Sequence, residues 1–367
     1  MFISGKSSMS LDGKKPFQSL LTSEEIDIFY NEHFHDILRK DEMDPASFVF
    51  DKMSKIFYPR ETGILASIKR KFVLSIFDAF IQVVPYDQMK YTTVMQQIMD
   101  NPKNTFLASN HGTFANLATI AREFYRNASP SGHPEKKDKI FTFIAPSLTT
   151  QKQWYLISTF SHLLKTFTLN DKSKIEKLKG EVQEVREGFK EEINRHAKKQ
   201  WNIFGLAPEG TRNALLRNSQ GGVDKIYMEK NLNVIATRRF LRSFIENGDA
   251  LVLQGVNDAG LKMPGKTNPL DHTRNKGRVY TDIEFLSKKD ALDIIGSDKF
   301  LERIAELTRD KYGNSIGEVV SAEQMKEIKA QLKANPTVIE SYPEEDFEDT
   351  IIKATVRRLF NAFKYSL

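Results

Sequence analysis

Short runs of apolar residues alternate with stretches of helical periodicity from about residue 104 onward, and this alternation limits the chain to few folds. The apolar runs predict buried strands at 105–109, 140–144, 203–207, 250–253 and 279–285. The stretches between them predict helices, chiefly at 115–125, 150–165 and 174–198. Because strands that alternate with helices are typical of an α/β fold, we expect a mixed central sheet flanked by helices.

The residues before this region have a different pattern. Residues 1–20 are polar and predict a mobile N-terminus. Residues 21–100 carry three helical patterns without a clear strand, and the last of these patterns runs from Leu65 to Val84. We therefore expect a smaller N-terminal helical domain over 21–100 and an α/β domain over 101–367, with a helical tail from about residue 288.

Composition excludes several classes of protein. The 367 residues are 40% hydrophobic, which excludes a disordered chain. The mean hydropathy is −0.45, and no apolar run approaches the length of a membrane-spanning helix. The sequence has no cysteine, which excludes disulfides and thiol nucleophiles and is compatible with a reducing compartment. The histidines have no metal-ligand spacing, and no P-loop motif occurs, so we expect neither metal nor cofactor.

The charge balance favours anionic partners. Lys and Arg number 54 against 48 Asp and Glu, which gives a net charge of +6. This excess suits phosphates, acidic carrier proteins or an anionic membrane. No basic block is interleaved with aromatic residues, so we expect no nucleic-acid partner. The first residues lack the apolar stretch of a secretory signal, and we expect a cytoplasmic or stromal-like compartment.

A histidine follows the first buried strand, where α/β folds place functional residues. His111 comes two residues after Ser109 and precedes the helix predicted from Ala115. Backbone N–H groups at the start of that helix suit an anion or a developing oxyanion. The alternative is that His111 only caps a loop.

A second motif, Pro-Glu-Gly-Thr-Arg at 208–212, follows the strand predicted at 203–207. It combines a kinked backbone with a flexible glycine, a hydroxyl group and the guanidinium group of Arg212. Arginine suits bidentate contacts with a phosphate group. Taken alone, such a segment is more often an ordinary Pro–Gly turn that carries a surface arginine.

Together, Asn110-His111 and the segment 208–212 resemble the glycerolipid acyltransferase superfamily, whose hallmarks are Asn-His-x4-Asp and a later Pro-Glu-Gly-Thr-Arg. The resemblance covers roughly residues 100–260 and is closest in character to the soluble plastid-type glycerol-3-phosphate 1-acyltransferases. It implies acyl transfer from acyl-CoA or an acyl carrier protein to a glycerol-phosphate acceptor, either glycerol 3-phosphate or lysophosphatidate. That reaction requires neither a metal nor a covalent intermediate.

The resemblance also implies roles for individual residues. His111 would be the general base that deprotonates the acceptor hydroxyl. Arg212 would bind the acceptor phosphate, in a pocket shaped by Glu209, Gly210 and Thr211. Backbone N–H groups near 112–113 or 210–211 would hold the oxyanion.

The sequence departs from the family pattern at the carboxylate, because Asn116 stands where the family has aspartate. An asparagine can orient an imidazole but cannot stabilise imidazolium by charge. The departure permits a slower enzyme, or a catalytically weakened protein that binds lipid or an acyl carrier. Glu209 would supply the missing charge if the two strand ends converge.

A second departure concerns the basic residue that the family places between its two hallmarks. Lys172 is the nearest candidate, and it is also explained as the start of a solvated helix. A further alternative is an unrelated α/β transferase or hydrolase. A separation of more than about 15 Å between His111 and Arg212 would favour that alternative, because one substrate could not reach both.

Two amphipathic stretches bear on membrane contact. The C-terminal residues 350–365 place apolar side chains on one helical face and basic side chains on others, as does the stretch from Leu65 to Val84. This pattern is typical of a helix at a membrane surface, and equally of a helix packed on a core. Peripheral membrane contact therefore remains one of two expectations.

Overall fold

A computed structural model describes part of the chain, and this part has an α/β fold with a mixed sheet flanked by helices. The structure describes residues 57–60, 62–63, 66–67, 70–71, 74, 81–112, 114–144, 159–166, 179–218, 223–260, 277–334 and 339–340. The predictions for residues 1–20, Lys172 and residues 350–365 lie outside these ranges. Within the described residues, no helix is both long enough and apolar enough to cross a bilayer.

The described strands and helices have the following bounds. The strands are β1 (Phe57–Tyr58), β2 (Ile81–Pro85), β3 (Thr105–Ser109), β4 (Ile140–Ile144), β5 (His162–Lys165), β6 (Ile203–Leu206), β7 (Ala214–Arg217), β8 (Val223–Lys230), β9 (Ala250–Gly260), β10 (Gly277–Leu286), β11 (Gly317–Ser321) and β12 (Ile339–Glu340). The α-helices are α1 (Gln88–Asp100), α2 (Phe114–Ala128), α3 (Lys179–Ala197), α4 (Leu232–Glu246), α5 (Lys288–Gly296), α6 (Lys299–Leu307) and α7 (Ala322–Ala334). A 3₁₀-helix covers Pro134–Asp138.

The main sheet has eight described strands in the order β1-β5-β4-β6-β3-β9-β10-β2. The five strands from β5 to β9 run parallel to one another. β10 is antiparallel to β9, and β2 runs parallel to β10. β1 is antiparallel to β5 at the other edge. The parallel centre places the carboxyl ends of β3 and β6 side by side, which positions the site described next.

Helices cover both faces of this sheet, and the alternation of side chains along β3 divides the core between them. Leu107 packs in a cluster with residues of α1 and α2. Phe106 and Ala108 point to the opposite face and pack with residues of α4, α5 and α6. Because both faces are covered, β3 is buried at all five positions and is apolar through its centre rather than alternating.

The expectation that residues 21–100 contain no strand is wrong in two places. Phe57–Tyr58 pairs with β5, and Ile81–Pro85 pairs with β10, so both belong to the main sheet. Edge strands are short and partly exposed, and so they lack the apolar run that predicts a buried strand. Helix α1 packs in the same core, so residues 81–100 are not separate from the α/β part of the chain.

Two further expectations about helices need correction. The helix predicted at 150–165 is wrong at its end, because His162–Lys165 is a strand parallel to β4. The helical tail predicted from residue 288 is interrupted by β11 and β12. These strands join β7 and β8 in a second, four-stranded sheet that the sequence did not predict.

Candidate active site

The two predicted motifs lie next to each other in the structure. β3 and β6 are neighbouring parallel strands in which Ala108 is opposite Leu206. The chain leaves β3 toward His111 and leaves β6 toward Glu209, at the same edge of the sheet. The backbone N–H of Asn213 donates to the carbonyl of His111 over 2.8 Å, so the two loops contact each other directly.

The side chain of Asn110 fixes the position at which the histidine loop leaves the sheet. Asn110 is fully buried. Its Oδ1 accepts a hydrogen bond from the N–H of Val256 (2.7 Å), and its Nδ2 donates to the carbonyl of the same residue (2.9 Å). Nδ2 also donates to Oδ1 of Asn213 over 3.0 Å. The Asn110 amide thus joins the loop that carries His111 to β9 and to the loop that carries Arg212.

Glu209 is the centre of the second loop and is fully buried. Nδ2 of Asn213 donates to its Oε1 over 3.0 Å. The side chains of Asn231 and Asn233 both donate to its backbone carbonyl, over 3.0 and 3.1 Å. Asn231 also caps the start of α4, so the loop is attached to that helix. Gly210 has φ +62, a left-handed conformation that favours glycine at this turn.

Burial dominates the chemistry of the Glu209 carboxyl group. It raises the pKa of Glu209 to about 7, although the hydrogen bond from Asn213 and the backbone N–H groups of Glu209 and His111 act in the opposite direction. The second oxygen, Oε2, is buried without a hydrogen-bond partner. A carboxyl group with this pKa exchanges its proton near neutral pH, and its unpaired oxygen is available to a ligand.

This raised pKa predicts how stability depends on pH. The folded protein holds the Glu209 proton between the ordinary pKa of 4.5 and about 7, while the unfolded chain releases it. The Glu209 carboxyl group therefore contributes stability that is lost as the pH rises through this window, and Glu209→Gln lacks this contribution. We expect the free energy of unfolding of Glu209→Gln, relative to wild type, to rise by about 3 kcal/mol between pH 4.5 and 7.

Urea unfolding at several pH values measures this difference. Glu327→Gln, at an exposed position on α7, is the matched control. Its pH curve should run parallel to that of the wild type. A parallel curve for Glu209→Gln as well would mean that Glu209 is ionised throughout the window.

His111 lies partly exposed at the edge of the sheet, with its Nδ1 buried and without a hydrogen-bond partner. Burial and, to a smaller extent, the nearby positive charge of Arg212 together lower the pKa of His111 to about 4, against a hydrogen bond with the backbone of Gly112. The imidazole is therefore neutral at neutral pH and free to accept a proton. The charge of Arg212 is thus close enough to the imidazole to act on its pKa.

The pKa of His111 should rise when the charge of Arg212 is removed or neutralised. We expect Arg212→Gln to raise it, and inorganic phosphate bound at Arg212 to raise it in the wild type. NMR titration of the histidine C2 protons measures both effects, with the His111 signal assigned from its absence in His111→Ala. Arg242→Gln, on the exposed side of α4, should leave the signal unchanged. An unchanged His111 pKa in Arg212→Gln would mean that the charge of Arg212 does not act on the imidazole.

Thr211 and the loop backbone complete the site. Thr211 Oγ1 is buried without a hydrogen-bond partner. The N–H of Gly210 donates to the carbonyl of Ala207 over 3.2 Å, so this group is occupied by the turn. The expectation of an oxyanion donor at 210–211 is therefore wrong for Gly210.

The structure does not support the direct role that we predicted for Glu209. The strand ends converge, as that hypothesis requires. The carboxyl group nevertheless interacts with Asn213 and with backbone N–H groups, and His111 Nδ1 has no partner. Asn116 lies in α2, but its side chain is outside the described part of the structure, and so the roles predicted for Asn116 and Lys172 stay predictions.

Sequence reasoning missed a buried carboxylate beside the histidine. Asp258 lies on β9 and is 1% exposed. Its Oδ1 would be only 2.3 Å from a Cβ atom added to Gly112, so the absence of a side chain at 112 makes room for it. No signal like that of His111 marked Asp258, because Gln254, Gly255 and Val256 separate Asn257-Asp258 from the apolar run at 250–253.

One cavity adjoins the site, between α2 and the sheet, and it is small. It is lined by Val83, Thr119, Ile120, Glu123, Gln254, Val256, Val279 and Thr281. Thr119 Oγ1 and Gln254 Oε1 are buried there without partners. The space suits about one water molecule and leaves no room for an acyl chain.

Comparisons with known proteins add no relative. No protein-family model matches the chain, and a search of curated proteins finds no matching sequence. Among the described residues, no group of three histidine or acidic side chains is arranged to hold a metal ion. Any functional conclusion therefore depends on the motifs and on the geometry of this site.

Proposed function

We propose that the protein transfers a fatty acyl group from a thioester to the hydroxyl of a glycerol-phosphate acceptor. One observation carries the proposal: His111, Glu209 and Thr211 each place a buried, unpartnered polar atom at the edge of the sheet where the two motifs meet. Buried polar groups are nearly always hydrogen-bonded, so three unpaired atoms in one place favour a polar ligand that pairs with them.

The arrangement supports a simple mechanism. Neutral His111 takes the proton of the acceptor hydroxyl as its oxygen attacks the thioester carbonyl. Collapse of the tetrahedral intermediate breaks the carbon–sulfur bond, and the departing sulfur receives the proton from His111. Arg212 binds the acceptor phosphate, which also offsets the positive charge that lowers the pKa of His111. Phosphate binding would thereby make the histidine a stronger base when the acceptor is in place.

Mass spectrometry of the reaction products tests the proposal. The purified protein is incubated with a long-chain acyl-CoA, or with an acylated carrier protein, and one acceptor at a time: glycerol 3-phosphate, lysophosphatidate or glycerol. We expect acylation of a phosphorylated acceptor and none of glycerol. Equal acylation of glycerol would remove the role of Arg212, and no product from any pair would contradict acyl transfer.

A second candidate is a protein that binds lipid or an acyl carrier with little or no turnover. It is favoured by the absence of a hydrogen-bond partner at His111 Nδ1, because no carboxylate bonded to that nitrogen stabilises the charged imidazole as in a catalytic triad. Binding of acyl-CoA or lysophosphatidate without product, in the same incubations, would support this candidate.

A further inference from the structure

A cluster of positive charges surrounds one tyrosine ring away from the candidate active site. The guanidinium carbons of Arg60 and Arg70 each lie 5.3 Å from the centre of the Tyr125 ring, and Lys137 Nζ lies 5.1 Å from it. We call these four residues the Tyr125 cluster. Tyr125 lies near the end of α2, and Lys137 lies in the 3₁₀-helix that precedes β4.

The cluster and His111 lie at opposite ends of the parallel strands. His111 follows the carboxyl end of β3, whereas Lys137 precedes the amino end of the parallel strand β4. A strand of five residues spans about 16 Å. One phosphate group therefore cannot reach both places, and the cluster is a separate feature of the molecule.

Both arginines are buried, and two nitrogen atoms of Arg60 lack hydrogen-bond partners. Arg70 is 9% exposed, with Nε donating to the carbonyl of Thr159 over 2.9 Å. Arg60 is 6% exposed, and its Nε and Nη1 have no hydrogen-bond partner. Unpaired donors on a buried cation cost free energy, and a protein retains them where a ligand pairs with them.

A carboxylate contacts Arg60 from the 3₁₀-helix before β4. Nη2 of Arg60 forms an ion pair with Asp138, whose side chain is 67% exposed. His162 accepts the backbone N–H of Arg60 at Nδ1, and its Nε2 lies 3.1 Å from the carbonyl of Asp138, an arrangement that suits the neutral ring. The carboxylate that pairs with Arg60 is therefore an exposed one.

We propose that the Tyr125 cluster binds a phosphate group through the unpartnered N–H donors of Arg60 together with the charges of Arg70 and Lys137. A guanidinium group matches the geometry of phosphate oxygens and binds two of them at once. The Asp138 carboxylate takes the place of a phosphate oxygen on Arg60 when no ligand is bound. Because Asp138 is exposed, it can move away as the ligand enters.

Titration calorimetry with inorganic phosphate tests this site in the full chain. All variants carry Arg212→Gln, so that phosphate at the candidate active site makes no contribution. We expect Arg60→Gln to weaken binding by at least about tenfold, because two charge-assisted hydrogen bonds are lost. We expect Asp138→Asn to tighten binding several-fold, because it removes the competing charge. Arg242→Gln, at an exposed ion pair on α4, should bind like the parent.

The two variants should change the phosphate affinity in opposite directions. Misfolding cannot explain both results, since a damaged protein would not bind phosphate more tightly. Loss of all phosphate binding in Arg212→Gln alone would overturn the proposal, as would equal binding by the parent and Arg60→Gln. The same titration with CoA identifies the source of the phosphate group. If CoA binds more tightly than inorganic phosphate and Arg60→Gln weakens its binding, the site binds a phosphate group of a larger ligand. If inorganic phosphate binds more tightly than CoA, the site binds free phosphate.

This proposal does not depend on acyl transfer. A protein that produces no acylated product could still bind phosphate at the Tyr125 cluster, and an active acyltransferase could lack this second site. The product assay and the calorimetry therefore fail or succeed separately.

Discussion

Replacement of His111 by alanine should lower the rate of acyl transfer by about 10²- to 10⁴-fold, because no other described group at the site is a neutral base with an exposed face. The expected loss is in turnover rather than in acceptor binding, since Arg212 and the Glu209 loop are unchanged. Product formation under saturating acceptor measures it. The free energy of unfolding should stay close to that of the wild type, because the imidazole is partly exposed and its Nδ1 makes no hydrogen bond.

His133→Ala provides the matched control for this experiment. His133 lies just before the 3₁₀-helix that leads into β4, at the edge of the sheet opposite His111, and contacts Asp100 and Glu135 there. Its removal should leave turnover at the wild-type rate. Full activity of His111→Ala would assign proton removal to another group and would contradict the proposed mechanism.

Gly255→Ala should be the most destabilising single methyl group that can be added to the main sheet. A Cβ atom at this position on β9 would lie 2.1 Å from the backbone carbonyl carbon of Leu307 and 2.3 Å from the backbone nitrogen of Thr308. Backbone atoms cannot rotate away, so the end of α6 must move off the sheet. We expect a loss of about 3 kcal/mol or more in the free energy of unfolding.

Gly205→Ala tests whether this loss is specific to position 255. Gly205 lies on β6, in the same sheet, and an added Cβ would meet nothing closer than the carbonyl of Phe141 at 3.8 Å. Urea unfolding should show a change within about 1 kcal/mol for this variant. Equal unfolding curves for Gly255→Ala and the wild type would mean that α6 packs on β9 less closely than the structure has it.

The strands that could be predicted are those whose apolar residues show that they are buried. β3 and β4 were predicted with their observed bounds, because each is a short run in which apolar residues predominate. β5 could not be predicted in this way. His162 and Lys165 stand at its two ends, and a strand whose ends are polar resembles one turn of an amphipathic helix.

The site was predictable for a similar reason, and only up to a point. His111 and the loop at 208–212 each follow a predicted strand, and together they resemble a known pair of motifs, which indicated them as the site. Asp258 was missed because β9 was predicted to end at Leu253, whereas it continues to Gly260 and extends beyond β3. The length of a strand depends on its neighbours, and a single sequence does not contain that information.

The Asn110 amide has a consequence for the thermodynamics of ligand binding. By donating to and accepting from Val256, it imitates a peptide unit and lets the chain turn out of β3 while both backbone groups of Val256 on β9 stay hydrogen-bonded. The loop that carries His111 is therefore ordered when the protein folds, and its conformational entropy is lost at that stage. A ligand that binds there meets a preorganised surface, and more of its interaction energy remains as affinity.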